Sequence, residues 1–205
     1  MSTFDFSESA HANEVNQYNN VFHKVYSQQA LLTKFDKYLL LRLSISKDLP
    51  NYNEVLNRYL ASATIHNNKI LNDFFPDAGF NLFTTEHLGC LPGSTNKIDF
   101  GVKCAGTVIC DTNRAFPSGF YMYPRSSTGS KTGLRLANSV GIIDSGYRGH
   151  LMGVFDSKTA ENLAPYTSIV QICGPSLVPL WVEIVDELND DTERGTGGFG
   201  STGVK

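Results

Sequence analysis

Residues Ile98–Cys104 read Ile-Asp-Phe-Gly-Val-Lys-Cys, and this stretch decides the fold class. Apolar side chains occupy every second position, with charged residues or glycine between them. Successive side chains of a strand point to opposite faces, so this alternation is typical of a half-buried β-strand. The same period returns at 120–123 and 178–185. Short alternating runs broken by Gly and Pro predict an all-β sandwich or barrel over residues 76–188.

The residues before Pro76 follow a helical period instead. Apolar side chains recur every three or four positions in two stretches, first Leu32, Phe35, Leu39 and Leu43, then Tyr52, Val55, Leu56, Tyr59, Leu60 and Ala63. These patterns predict two amphipathic helices joined near 48–50, the second opened by a capping box of Asn51 and Glu54. We therefore expect a helical extension over 21–75. Residues 1–20 are rich in Asn and Ser, and we expect them to be disordered.

Composition excludes several classes of protein. A chain of 205 residues can form one domain with a real core, and its net charge of −3 argues against nucleic-acid binding as the main role. No apolar run reaches membrane-spanning length, and the acidic N-terminus lacks the basic region of a secretory signal. We expect a soluble, intracellular protein without a membrane partner. The four cysteines show no C-x-x-C spacing, so reduced thiols are expected rather than zinc.

The last segment, residues 189–205, is glycine-rich: five of the ten residues 194–203 are glycine. Glycine lets successive backbone N–H groups converge on an anion, and Arg194, Ser201 and Thr202 add donors suited to phosphate. The stretch lacks the Gly-Lys-Ser/Thr of a Walker loop. A flexible tail is the alternative interpretation. The ring of Phe199 between two glycines is unusual in a linker, and it suggests an arm that closes over a nucleotide.

Two further stretches contain groups suited to catalysis and to phosphate binding. Asn138 to Arg148 is predicted as a hairpin in which Asp144 follows two isoleucines. A carboxylate on a rigid turn beside a pocket can orient and deprotonate water, although a turn-capping aspartate fits the same pattern. Arg125-Ser-Ser127 offers a second phosphate-type group. An exposed surface turn is the alternative there.

Five stretches, taken in this order, resemble the five motifs of the trimeric dUTPase family; they lie at 77–83, 124–131, 138–152, 168–172 and 192–203. The strings GIIDSGYRG and ERGTGGFGSTG carry most of the resemblance, and KTGLRLANSVGIIDSGYRG is also similar to dUTPases of large DNA viruses. The resemblance implies a jelly-roll-like β barrel, assembled as a homotrimer with shared active sites. It also implies a dUTP diphosphatase that converts dUTP to dUMP and pyrophosphate with Mg²⁺, keeping uracil out of DNA and supplying dUMP.

The resemblance also implies a role for each matching residue. Asp144 is expected to activate the water that attacks the α-phosphorus, Tyr147 to pack under deoxyribose, and Phe199 to stack on uracil. The expected substrate contacts are Arg125, Ser126, Ser127, Asn138, Gly141, Ile142, Ile143, Tyr147, Met152, Gln171, Arg194, Phe199, Gly200, Ser201 and Thr202. Mg²⁺ would be held by the phosphates, with no direct protein ligand expected.

Three positions depart from the family pattern and leave two alternatives open. Asn81 stands where the family has aspartate, Ser168 where it has arginine, and Ser127 where it has glycine. A nucleotide-binding relative with impaired catalysis and a regulatory role is the first alternative. The second is dCTP deaminase, whose catalytic glutamate would fall near Val154, a residue that cannot act as an acid.

Overall fold

Strands make up most of the regular structure in this computed structural model, which describes residues 27–112, 114–188 and 192–197. The helices are α1 (27–34), α2 (Tyr52–Asn72) and α3 (Ser126–Lys131), with a 3-10 turn at Pro175–Leu177. The strands are β1 (Lys37–Ile45), β2 (Gly79–Leu82), β3 (Leu88–Cys90), β4 (Thr95–Asp99), β5 (Val102–Cys110), β6 (Ala115–Ser118), β7 (Phe120–Pro124), β8 (Leu134–Leu136), β9 (Gly141–Ile143), β10 (Met152–Ser157), β11 (Glu161–Leu163), β12 (Val170–Cys173) and β13 (Leu180–Ile184). The predicted all-β, jelly-roll-like class is confirmed.

The strands form four hydrogen-bonded sheets that share one apolar core. Their orders are β13-β1-β5-β6, β4-β10-β8, β11-β3 and β2-β12-β7-β9. Buried side chains from every sheet, such as Leu41, Phe155, Leu163 and Ile172, pack into this core together with α2. Burial of this apolar surface is the main term that holds the sheets together.

Residues Ile98–Cys104, which predicted a strand, contribute to two strands. Ile98, Phe100, Val102 and Cys104 are buried, as the alternation requires. The chain nevertheless turns between β4 and β5 at Gly101, which has φ +63°. A side chain at Gly101 would meet Leu49 at 2.8 Å, so glycine is needed both for the turn and for the packing. The turn sends β4 and β5 into different sheets.

The first predicted helix is wrong beyond Lys34. Leu39 and Leu43 lie in β1, which pairs in parallel with β13 and antiparallel with β5. Both faces of β1 are covered, since Leu39 packs into the main core while Leu40 packs with Leu31 and Ile70. A strand buried on both faces loses its alternation, and its continuous apolar run then mimics helical spacing.

The predicted helical extension over 21–75 is therefore not a helical appendage. Its described part begins at residue 27, and β1 is an inner strand of a four-stranded sheet. The second predicted helix is present as α2, and Asn51 is its N-cap residue. The capping box is absent, since no side-chain hydrogen bond caps this terminus, and the Asn51 side-chain amide N–H donates to the Thr85 carbonyl at 2.7 Å. The Asn51 side chain therefore makes a tertiary contact and not a local helix cap.

The hairpin predicted for 138–148 is also wrong in its pairing. β8 pairs with β10, whereas β9 pairs with β7 in a different sheet. The chain crosses between the sheets at Ser139, whose φ of 61° lies in the left-handed region. β9 is consequently an edge strand, with one side of its backbone unpaired by any other strand.

Candidate active site

A cleft of about 210 Å³ opens where β9 ends and the chain turns toward β10. Its walls come from β7, β10, the segment between β8 and β10, and residues 194–197. It is lined by Met122, Asn138, Gly141, Ile142, Ile143, Asp144, Tyr147, His150, Leu151, Met152, Val154, Arg194 and Gly197. The structure thus brings together seven of the residues predicted from the third motif, and it adds Arg194 from the fifth.

Asp144 stands at the mouth of this cleft on a short turn. The Tyr147 amide donates to the Asp144 carbonyl at 3.0 Å, which closes the turn directly after β9. β9 itself is fixed by its pairing with β7. The Asp144 side chain is 57% exposed, so its carboxylate is accessible to water while its backbone is anchored. A water-accessible carboxylate on an anchored backbone can serve as a general base.

Tyr147 forms a half-buried aromatic wall of the cleft. Its hydroxyl donates to the His150 carbonyl at 2.9 Å. Burial raises the pKa of the Tyr147 phenol, nearby Asp99 raises it further, and Arg194 opposes the shift. The ring therefore stays neutral at physiological pH and offers a flat apolar face.

Residues 192–197 pack against the same turn. The Thr192 hydroxyl donates to the Gly146 carbonyl at 2.6 Å, and the Arg148 amide donates to the Gly195 carbonyl at 2.8 Å. Arg194 then reaches the carboxylate of Asp144, with 3.2 Å between Nη2 and Oδ2. A side chain at Gly146 would lie 3.2 Å from the Arg194 Cβ, so glycine lets the two segments meet. The start of the arm is thus docked on its own chain's third motif.

The second motif lies in a separate cavity of about 390 Å³. Arg125 and Ser126 line this cavity at the start of α3, together with Arg135 and Ser139. The Arg125 amide donates to the Ile169 carbonyl at 3.0 Å, and its Nη1 donates to the Ser168 carbonyl at 3.3 Å. These bonds join the second motif to the fourth. Ser127 belongs to α3 and does not line the cavity.

Asn81 and Gln171 lie opposite each other on β2 and β12, and Tyr123 of β7 lies opposite Gln171. Their neighbours Phe80 and Ile172 are buried, so this row points away from the core. Neither Asn81 nor Gln171 lines the Asp144 cleft. Phe199, Gly200, Ser201 and Thr202 lie outside the described residues.

Comparison with known proteins identifies the family. The dUTPase family model matches residues 75–203, well over half of the chain. The chain belongs to the dUTPase family. It is 35% identical over 133 residues to a deoxyuridine 5'-triphosphate nucleotidohydrolase of Cutibacterium acnes, covering 62% of this chain and 80% of the relative. It is 41% identical over 106 residues to that of Gamma-proteobacterium EBAC31A08, covering 45% and 76%. A crystal structure of dUTPase from Streptococcus mutans is 25% identical, with a TM-score of 0.41, covering 50% of this chain and 80% of that one.

Several residues in the cavities of this dUTPase-family chain were missed by sequence reasoning. Met122, His150, Leu151 and Gly197 line the Asp144 cleft, and Arg135 and Ser139 line the second cavity. Proximity to Asp144 could have indicated His150 and Leu151. Met122 and Arg135 gave no signal, because only strand pairing brings them to their cavities.

Other expectations concern metals, thiols and membranes. Among the described residues no group of three His, Cys, Asp or Glu side chains is placed to hold a metal ion. All four cysteines of this dUTPase-family chain are free. In the part of the chain that the structure describes, every helix is too short or too polar to span a membrane.

Proposed function

We propose that this chain hydrolyses dUTP to dUMP and pyrophosphate. The observation that carries the proposal is the placement of Asp144 beside Asn138, Tyr147 and the exposed edge of β9 in one cleft. Such a cleft can hold a nucleobase and sugar while presenting a carboxylate to the first phosphate. Membership of the dUTPase family, and relatives named for this activity, support it.

The backbone of β9 is suited to select uracil. As an edge strand, β9 leaves amide N–H and carbonyl groups on one side without a strand partner. A pyrimidine can hydrogen-bond to this edge, assisted by the amide of Asn138. Cytosine presents a donor where uracil has an acceptor, so cytosine would leave polar groups unpaired. Buried unpaired groups are costly enough to reject the wrong base.

Asp144 is proposed as the general base. Its carboxylate takes a proton from water, the water oxygen bonds to the α-phosphorus, and the bond from the α-phosphorus to the bridging oxygen of the β-phosphate breaks. Pyrophosphate leaves with that oxygen. Arg194, now 3.2 Å from Asp144, is proposed to contact the phosphates when substrate is bound. Phe199, Gly200, Ser201 and Thr202 are proposed to complete the closure of the arm over the bound nucleotide.

We propose that a metal ion is carried in by the substrate, with phosphate oxygens as its main ligands, because Mg²⁺ prefers oxygen ligands and is usually bound through substrate phosphates. Mg²⁺ would neutralise charge on the triphosphate. Asn81 offers only a neutral amide, in a row with Gln171 and outside the Asp144 cleft.

A homotrimer with shared sites is proposed because one chain's cleft is small. At about 210 Å³ it falls below the roughly 300–1,000 Å³ of typical small-molecule sites. Arg125 and Ser126 lie in a different cavity, and Gln171 lines neither. In a trimer, the Asp144 cleft of one copy could lie against the Arg125 cavity and Gln171 of a neighbouring copy and form one site. Light scattering after size-exclusion chromatography tests this, and a monomer with full activity would contradict it.

The test of function is a panel of dNTPs assayed with Mg²⁺ for pyrophosphate and ammonia. We expect pyrophosphate from dUTP and little from dCTP, dTTP or UTP. Tight dUTP binding without turnover would instead support a regulatory relative. Ammonia from dCTP would support the deaminase, although the apolar Val154 lines the cleft near that enzyme's acid position.

A further inference from the structure

Arg135 lies in the cavity of the second motif, although no motif includes it. It is the middle residue of β8, between the buried Leu134 and Leu136, so its side chain points away from the core. The cavity of about 390 Å³ also includes Arg125, Ser126 and Ser139. Two guanidinium-bearing residues thus share one cavity.

The guanidinium of Arg135 is directed toward α3. Across the strand pair it faces Asp156 of β10, the natural partner for a surface ion pair. Among the described residues, however, no ion pair joins these two side chains. Instead, a methyl group placed on Gly129 would lie 3.0 Å from Arg135 Nη1. The guanidinium therefore occupies the space over Gly129, on the same helix as Ser126.

The chemistry of this cavity suits a polyphosphate. Its described lining includes two arginines and two serines but no carboxylate, on a chain whose net charge is −3. Guanidinium groups bind phosphate oxygens through paired N–H donors, and serine hydroxyls add donors of their own. A local excess of positive charge on an acidic protein favours an anion of high charge density.

The linings of this cavity and of the separate Asp144 cleft include consecutive residues of the chain. Asn138 lines that cleft and the next residue, Ser139, lines the basic cavity. Ser139 takes a φ of 61°, a conformation that a non-glycine residue adopts only when its surroundings hold it there. One backbone segment, held in a fixed conformation, therefore borders both cavities.

We propose that Arg135 is a second cationic contact for the polyphosphate of the nucleotide, acting beside Arg125. This inference rests on the proposed dUTP hydrolysis and adds a residue to its phosphate site. Arg135 contacts the β- and γ-phosphates, and it contributes to the affinity for triphosphates over monophosphates.

The experiment compares Arg135→Gln with Lys131→Gln. Lys131 is exposed at the end of α3, outside the cavity, so its variant removes the same charge from the same neighbourhood. In Arg135→Gln we expect the KM for dUTP and the inhibition constant of inorganic triphosphate to rise at least about tenfold, as for loss of a charge-assisted bond. The inhibition constant of dUMP should change less than about twofold, because dUMP lacks both outer phosphates. Arg135→Lys should recover part of the loss, since lysine keeps the positive charge but lacks the paired N–H donors of the guanidinium.

Binding of inorganic triphosphate by calorimetry separates this inference from the proposed function. It needs no hydrolysis, so a wild-type protein that binds triphosphate but releases no pyrophosphate from dUTP would contradict only the function. Wild-type protein that does not bind triphosphate, or an Arg135→Gln variant that binds it as Lys131→Gln does, overturns the role of Arg135. An equal loss for dUMP and triphosphate would indicate a structural role and overturn it too. Thermal unfolding of both variants checks that they are folded, and Arg135→Lys repeats the test should Arg135→Gln fail to fold.

Discussion

The turn after β9 and the helix α2 are stabilised in opposite ways. The turn is tied by backbone hydrogen bonds to its neighbours and to residues 192–197, and its Asp144 carboxylate is left more than half exposed. Helix α2 buries one side, made of Val55, Tyr59, Ala63, His66 and Ile70. The first region presents charge to a cleft, whereas the second removes apolar and polar groups from water.

Polar side chains of α2 cover the free edge of β13. The Asn67 amide donates to the Val182 carbonyl at 2.8 Å and accepts from the Val182 amide at 3.0 Å. The His66 Nε2 lies 2.9 Å from the Leu180 carbonyl. A side-chain amide that pairs with both backbone groups of one residue takes the place of another strand. Covering an edge in this way stabilises the sheet and lies apart from the described active-site groups, so variants in the two regions should separate activity from stability.

The largest effect is expected at the turn. Asp144→Asn should lower turnover of dUTP by about 10²–10⁴-fold, because the variant cannot accept a proton from water. Its unfolding temperature should stay close to that of the wild type, since an exposed carboxylate adds little to stability. Steady-state pyrophosphate release and calorimetric binding of dUTP check both statements.

Asp111→Asn is the matched control for this prediction. Asp111 is exposed in the turn after β5 and lies outside both cavities. Near-normal turnover by Asp144→Asn would remove Asp144 as the base and leave the catalytic role of the turn without support.

A smaller effect of the opposite kind is expected on α2. Asn67→Ala should lower the free energy of unfolding by about 1–3 kcal/mol, because both backbone groups of Val182 lose their partner. Turnover at temperatures well below unfolding should not change. Denaturant unfolding at fixed protein concentration measures the loss.

Asn68→Ala provides the comparison, because Asn68 is the exposed neighbour of Asn67 on the same helix. Equal stability of the two variants would show that the pairing with Val182 contributes nothing. A fall in turnover for Asn67→Ala alone would show that the two regions are coupled.

The smallest effect is a pH dependence of stability that comes from His66. Burial lowers the pKa of the His66 imidazole, and Lys69 lowers it slightly, while the Leu180 carbonyl and Asp77 oppose the shift. As the pH falls below the ordinary imidazole pKa of about 6.5, the unfolded chain therefore takes up this proton more readily than the folded one. The contribution of His66 to the free energy of unfolding is therefore fully present at neutral pH. It is lost progressively as the pH falls below about 6.5.

His66→Gln should flatten this dependence, since glutamine can still donate to the Leu180 carbonyl but does not titrate. Unfolding free energies of wild type, His66→Gln and the exposed-site variant His87→Gln are to be compared between pH 5 and 7.5. If His66→Gln retains the same slope as His87→Gln, His66 does not contribute it.

The turn that carries Asp144 could be singled out from the sequence because its signal is local. Gly141–Ile143 and Asp144 are consecutive, and short-range geometry alone places the carboxylate at the strand end. The hairpin prediction failed for 138–148 because strand pairing depends on residues far apart in the chain. β9 pairs with β7, and β8 pairs with β10. The predicted third-motif residues around Asp144 therefore meet in one cleft although their strand pairing was wrongly assigned.

The N-terminal region was harder to predict. Leu39 and Leu43 fit a helix by spacing, and only the presence of β5 and β13 on either side makes their segment a strand. Asn51, Asn67 and Arg135 have no sequence signal for their partners, since an isolated amide or guanidinium in the sequence looks like any other exposed polar residue.

The sequence alone determined the β-rich class, the helix α2, the membership of the dUTPase family and the identity of Asp144 as a candidate base. The class and the helix follow from side-chain period, whereas the family and the candidate base follow from the resemblance of short motifs to the dUTPase family. Only the tertiary structure decided that β1 is an inner strand, that α2 covers the edge of β13, and that Arg135 shares a cavity with Arg125. Those contacts join residues far apart in the chain. Whether they form depends on how the strands and helices pack, which the local sequence does not specify.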